Sequence, residues 1–178
     1  MKKIILALTA LTAVSTAGAD SLGLRANYSH FFVANSTGNF TFGVEYAYDL
    51  DSKSAVRVGV DLDPDVIGSG VFALEGDVAY LRNFDGVGNA SYNVYYGGSL
   101  GLGVATAASG SARLTVLEVS PTAVVGTRYF LTPEFGLSAE ANVGPTFAFG
   151  FASGGSQSAS ARETAFGAGV RFGVNYRF

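Results

Sequence analysis

The sequence predicts an all-β fold: an eight-stranded antiparallel up-and-down transmembrane β-barrel. Three observations carry this. Large apolar residues alternate with small or charged ones along most of the chain, the period of two that gives a strand two unlike faces. The chain is 48% apolar and only 14% charged, yet after its first segment no apolar run approaches the about 18 residues a spanning helix needs. It also opens as exported chains do.

That opening is the first element. Lys2 and Lys3 make a basic start, Ile4 to Val14 a short apolar run, and Ala17-Gly18-Ala19 a small-x-small cleavage site before Asp20. These are the parts of a secretory signal peptide over 1–19, which leaves 20–178 as a single domain. The run is too short for a membrane anchor. The chain has no Cys, which excludes a lipid attached through Cys, disulfides, a thiolate nucleophile and a Cys-based metal site. Loss of Lys2 and Lys3 takes the formal net charge from −3 to −5. An acidic chain without a Lys/Arg cluster is not built for nucleic acid.

Eight segments then alternate. They lie at about 21–33, 39–50, 55–63, 71–82, 91–105, 113–130, 135–149 and 165–178. In the second, Phe40, Phe42, Val44, Tyr46 and Tyr48 face one way and Thr41, Gly43, Glu45 and Ala47 the other. The sixth is the least regular: Leu114 and Val116 hold one parity, Leu117, Val119, Val125 and Tyr129 the other. Such a phase shift predicts a β-bulge near 116–117. Pro121 and Pro145 fall inside strands six and seven, where each removes a ladder donor and predicts a local break in pairing. Segments rich in Gly, Asn, Asp, Ser or Pro join the strands, at 34–39, 49–54, 63–70, 83–90, 107–112, 131–135 and 150–161.

The charges decide which face is inside. Arg25, Glu45, Arg57, Asp61, Glu75, Asp77, Glu118, Arg128, Glu140, Arg171 and Arg177 all share the face rich in glycine. A soluble lipocalin-like barrel would put this face outside, where nothing demands small residues. Inside an eight-stranded lumen bulk is limiting, and long Arg side chains can cross over glycines. The opposite face carries aromatics toward both strand ends. Tyr46, Tyr48, Tyr80, Tyr92, Tyr129, Phe135, Tyr176 and Phe178 lie toward one end, and Phe32, Phe40, Phe42, Phe72, Phe147, Phe149 and Phe166 toward the other. Two such girdles are the mark of a lipid-embedded barrel.

The export signal, the eight strands and the C-terminal "VRFGVNYRF" resemble an outer-membrane barrel of a bacterium. In that class the last strand ends in Phe after alternating apolar residues, here Val170, Phe172, Val174, Tyr176 and Phe178. The resemblance implies that the barrel-assembly machinery reads this strand as an insertion signal. The interior charge set is similar to that of the small OmpA-like and OmpX-like barrels. The expected partner is outer-membrane lipid; no cofactor is expected, a monomer is one possible state, and the sequence does not give the oligomeric state.

Chemistry beyond this is sparse. His30 is the only histidine, and nothing ties Ser29 or a carboxylate to it as a catalytic set requires; no catalytic residue is expected. Asp61, Asp63 and Asp65 alternate and form a weak metal candidate, without the Gly and bidentate Glu of an EF-hand loop. "GGSLGLG" at 97–103 continues the inward parity and precedes no helix, so it is not a phosphate loop. The charged lumen reads either as a plug of Arg–carboxylate pairs or as a narrow passive pore for ions or small solutes. The plug is preferred, since open channels take 16 to 18 strands. The loops are short and poor in aromatic anchors, so surface adhesion has no support here.

Overall fold

A computed structural model describes residues 21–33, 36–66, 70–89, 91–154 and 157–178; the expected signal peptide lies outside them. The strands are β1 (Ser21–Phe31), β2 (Asn39–Asp49), β3 (Ser54–Leu62), β4 (Val71–Asn89), β5 (Tyr92–Ser109), β6 (Ala112–Phe130), β7 (Phe135–Gly154) and β8 (Gln157–Arg177). Each pairs antiparallel with its neighbours in sequence, and β8 closes on β1, from Ser21↔Arg177 to Phe31↔Gly167. This is a closed up-and-down barrel. Over the stretch where all eight strands pair, closure satisfies each strand from both sides, which a hydrocarbon environment demands because it offers no water to an open edge.

The barrel is inside out relative to a soluble protein. Leu24 is 67% exposed and Phe172 60%, whereas Arg25 is 3% and Arg57 2% exposed. The outward residues follow the predicted parity on every strand except at the loop end of β6, and the Tyr-rich and Phe-rich girdles both face outward.

The connections divide the barrel into a turn end and a loop end. At the turn end the β2–β3 turn is locked by Asp51, whose Oδ1 accepts the backbone N–H groups of Lys53 (2.7 Å) and Ser54 (2.8 Å). The β6–β7 turn uses Thr132, whose hydroxyl accepts from Phe135 N at 3.0 Å. Side chains that satisfy nearby backbone donors are what specify such short turns. At the loop end β5 and β6 meet in a two-residue turn with Gly110 at φ +59°, the left-handed region open to glycine.

Three expectations need correction. No bulge lies near 116–117: the β5–β6 register runs unbroken from Tyr92↔Tyr129 to Ser109↔Ala112. Leu114 and Val116 simply face inward at the loop end. Second, the stretches 107–112 and 150–161 are mostly strand, because Gly, Ala and Ser pair through their backbones without an apolar pattern to announce it. Third, β4 runs on to Asn89, with a register irregularity between Asn83 and Gly88. The prolines do mark a gap. The β6–β7 ladder passes from Val119↔Phe147 to Ala123↔Val143 in one register, with no pair between. Pro121 and Pro145 stand on the same skipped rung, so two missing donors interrupt one place rather than two.

The rim at the loop end is uneven. β1, β2 and β3 have 11, 11 and 9 residues, whereas β5 to β8 have 18 to 21. The β7–β8 hairpin therefore rises beyond β1.

Candidate functional site

The lumen is where the chain gathers its charge. β1 points Arg25 inward at a level where its partners on β2 and β8 are Gly43 and Gly173. With no side chain on either flank, the guanidinium extends across β3 over Gly59, where an added Cβ would lie 2.1 Å from Arg25 Nη1. There Arg25 Nε donates to Asp61 Oδ1 at 2.9 Å, and Nη2 donates to both Asp61 and Asp77. Asn27 Nδ2 adds a second donor to Asp61 Oδ1 at 2.8 Å.

A second centre forms on β7. Glu140 accepts from Arg57 Nη1 (2.6 Å) and Nη2 (3.0 Å), a two-pronged pair. It also accepts from Arg171 Nη1 at 3.0 Å and from the Tyr95 hydroxyl at 3.3 Å. Glu45 joins the two centres. Its Oε2 lies 3.6 Å from Arg25 Nη1 and 3.7 Å from Arg57 Nε, close enough for Coulomb attraction but without a hydrogen bond. Asp77 is 3.9 Å from Arg57 and 3.6 Å from Arg171. Three guanidiniums and four carboxylates thus form one network drawn from β1, β2, β3, β4, β7 and β8. Charges this deeply buried persist only when they are paired and hydrogen-bonded.

The remaining expected members lie apart. Glu75 and Glu118 flank Gly103 on the row Glu75↔Gly103↔Glu118, on the loop side, and neither makes an ion pair among the described residues. Arg128 lies on the turn side with its guanidinium carbon 5.8 Å from the centroid of the Tyr95 ring, and it too has no ion pair among the described residues. Arg177 pairs with Asp49 at 2.9 Å at the turn-end rim. The expectation that all these charges pair with one another is therefore corrected for Glu75, Glu118, Arg128 and Arg177. The cause is axial distance: a barrel strand spreads its inward residues from rim to rim, and parity alone gives the face but not the height. Asn27, Asp49 and Tyr95 were missed, although Asn27 and Tyr95 sit on the inward parity.

The other candidates separate. His30 lies on the outward face at the end of β1, edge-on to Phe32 at 6.2 Å, with no carboxylate partner among the described residues. Asp61 is committed to Arg25, while Asp63 Oδ1 accepts the Asp65 N–H at 2.8 Å at the short 3-10 turn Pro64–Val66. Among the described residues no three metal-ligating side chains gather, which corrects the metal candidate; the strand ends between Asp61 and Asp63 and takes them apart. Val170, Phe172, Val174 and Tyr176 all face outward on β8, between β1 and β7.

No family model and no curated protein matches the chain. Solved structures do. Neisserial surface protein A superposes with TM-score 0.62 at 15% identity over 92% of this chain and 100% of that one. The outer-membrane protein AlkL, solved in lipid bilayers, gives 0.61 at 17% identity over 93% and 94%. OprG of Pseudomonas aeruginosa gives 0.59 at 13% over 90% and 96%. The fold is that of a small eight-stranded outer-membrane β-barrel. At these identities the likeness fixes architecture alone. The inside-out exposure and the two girdles are the physical counterparts of that likeness.

Proposed function

We propose that the protein is a non-enzymatic, integral outer-membrane barrel with a structural role in the envelope, its lumen plugged by the Arg–carboxylate network. The supporting observation is the linkage Arg25–Asp61/Asp77 and Arg57–Glu140–Arg171, which crosses the lumen and leaves Arg57 2% exposed. Eight strands enclose a space that side chains can fill. The network occupies it as an apolar core would in a soluble domain, while apolar residues face lipid. The barrel is exported by the segment 1–19 and inserts as a monomer, with Val170, Phe172, Val174, Tyr176 and Phe178 read by the barrel-assembly machinery.

A narrow pore is the second reading. It is favoured by Glu75 and Glu118, inward carboxylates without ion pairs among the described residues. Conductance of the mature protein in a planar lipid bilayer separates the two. The plug predicts silent, fully inserted protein. Discrete reproducible channels, with cation selectivity altered by Glu75→Gln, would replace the plug by the pore.

A further inference from the structure

Below the network, at the turn end, the lumen holds a polar cavity of about 140 Å³. Its floor is Tyr95 and Leu81, each 2% exposed. Tyr95 is a partition. Its ring lies against β6 over Gly126, where an added Cβ would come within 2.5 Å of the ring. Its hydroxyl turns toward the network and donates to Glu140, while Arg128 stacks over its ring from the cavity wall.

The other charges around the cavity have partners. Arg177 holds Asp49 at 2.9 Å, Lys53 holds Asp85 at 2.7 Å, and the Asp51 carboxylate accepts the two backbone N–H groups of its own turn. Arg128 has no anionic partner among the described residues. Its Nε is buried without a hydrogen bond among them, and so is the Oδ1 of Asn93, directly opposite on β5. Both residues line the cavity. Exchange of the Asn93 amide oxygen and nitrogen would turn a second donor toward the same space. A guanidinium and an amide side by side in the wall of a partly open cavity suit a small oxyanion, because a charged acceptor forms the stronger hydrogen bonds with such donors.

We propose that this turn-end vestibule binds the oxyanion of a small molecule, a phosphate or a carboxylate, with Arg128 as the anchoring cation and Asn93 as a second donor. The site lies beneath the Tyr95 partition and does not rest on the lumen being sealed.

The test uses the folded barrel, residues 20–178, in a phosphate-free maltoside micelle. The Nε–Hε resonance of Arg128 is followed by NMR during titration with inorganic phosphate and with acetate, at constant ionic strength set by chloride. The expected result is a saturable shift of Arg128 and of the Asn93 side-chain amide, with the resonance of Arg25, which lies outside the cavity, used as a reference. In Arg128→Gln the apparent Kd rises at least about tenfold, as loss of a charge-assisted bond implies. Asn93→Ala, which keeps the cation, weakens binding by a smaller factor and serves if Arg128→Gln does not fold. A shift that grows linearly without saturation, or one that persists unchanged in both variants, would overturn the proposal. So would a response seen only when phosphatidylglycerol is added in bicelles, because that assigns the anion to lipid headgroups at the outer wall.

Discussion

Arg57 on β3 and Glu140 on β7 are 83 residues apart in sequence and face each other across the lumen through two hydrogen bonds of 2.6 and 3.0 Å. The pair spans the barrel between strands that do not touch in the sheet. Arg57→Met strands Glu140 with Arg171 as its only remaining cation. The expected loss is below the about 3–5 kcal/mol of unfolding free energy that a wholly unpaired buried charge costs, because Arg171 still holds Glu140. Arg57→Leu combined with Glu140→Leu should cost less than the sum of the single changes. Urea unfolding in lipid vesicles, run as a double-mutant cycle, measures the difference. Additive losses would mean that the pair is not coupled.

The outward face makes a separate demand. Val174→Arg places a charge on the lipid side of β8 and should cost about 2–4 kcal/mol near the bilayer midplane, and much less near an interface. Gly169→Arg acts from the other side of the wall. Its first side-chain atom would already meet Tyr28 O at 2.9 Å and the Asn142 side chain at 3.0 Å, so the damage comes from crowding. Folding yield into vesicles of two thicknesses distinguishes them: the Val174 effect depends on depth, the Gly169 effect does not.

Gly59→Ala tests the bed of Arg25. The new methyl would lie 2.1 Å from Nη1 and 2.2 Å from the guanidinium carbon. A flexible side-chain end can move, but movement lengthens the bonds to Asp61 and Asp77. A loss of about 1–3 kcal/mol is expected from overpacking. Gly76→Ala, whose methyl would meet only Gly59 O at an ordinary 3.5 Å, is the matched control.

The β2–β3 turn carries a pH dependence. Hydrogen bonds from the backbone N–H of Lys53, and then from Ser54, hold the Asp51 carboxyl below the usual carboxylate range. A depressed carboxylate contributes above its unfolded pKa, and its contribution is lost as pH falls through the folded one. The amide shifts of Lys53 and Ser54 should therefore stay constant at neutral pH and move together only in acid. Asp51→Asn should abolish that acid transition while leaving the strands paired.

Pro121 and Pro145 predict where the sheet is thinnest. Backbone amides of Val119 and Ala123, which point toward β7 on either side of the skipped rung, should exchange faster than those of Thr122 and Thr146, which point into the unbroken ladders with β5 and β8. Pro121→Ala together with Pro145→Ala restores both donors and should slow that exchange. Equal protection on all four positions in the parent protein would contradict the gap.

What the sequence could and could not tell follows from these particulars. Parity at Leu24, Arg25 and Phe172 was enough to assign inside and outside, because a strand has only two faces and the charges chose one. The height of a residue along the barrel was not encoded in parity. Hence Arg128 and Glu118, neighbours in the same strand's pattern, lie toward opposite ends of the lumen with the network between them. Nor could the reach of β7 and β8 be read from "GFASGGSQSASA", since backbone pairing of small polar residues leaves no apolar trace. Leu114 and Val116 misled because apolar residues near the loop end face inward there.

The uneven rim has a consequence for how the molecule meets others. Closing a sheet into a ring removes its free borders. On β8, residues 157–165 pair with β7 but have no partner on the β1 side among the described residues, because bonding to that side ends where Phe32 N donates to Phe166 O. The ring is closed within the band of aromatics and open above it. That upper stretch presents a border of unclaimed amides and carbonyls onto which another extended chain could add. Arg162 and Glu163 lie in the middle of it, and charge at that position guards a border against indiscriminate pairing. Selectivity for a neighbour would then depend on tolerating those two charges.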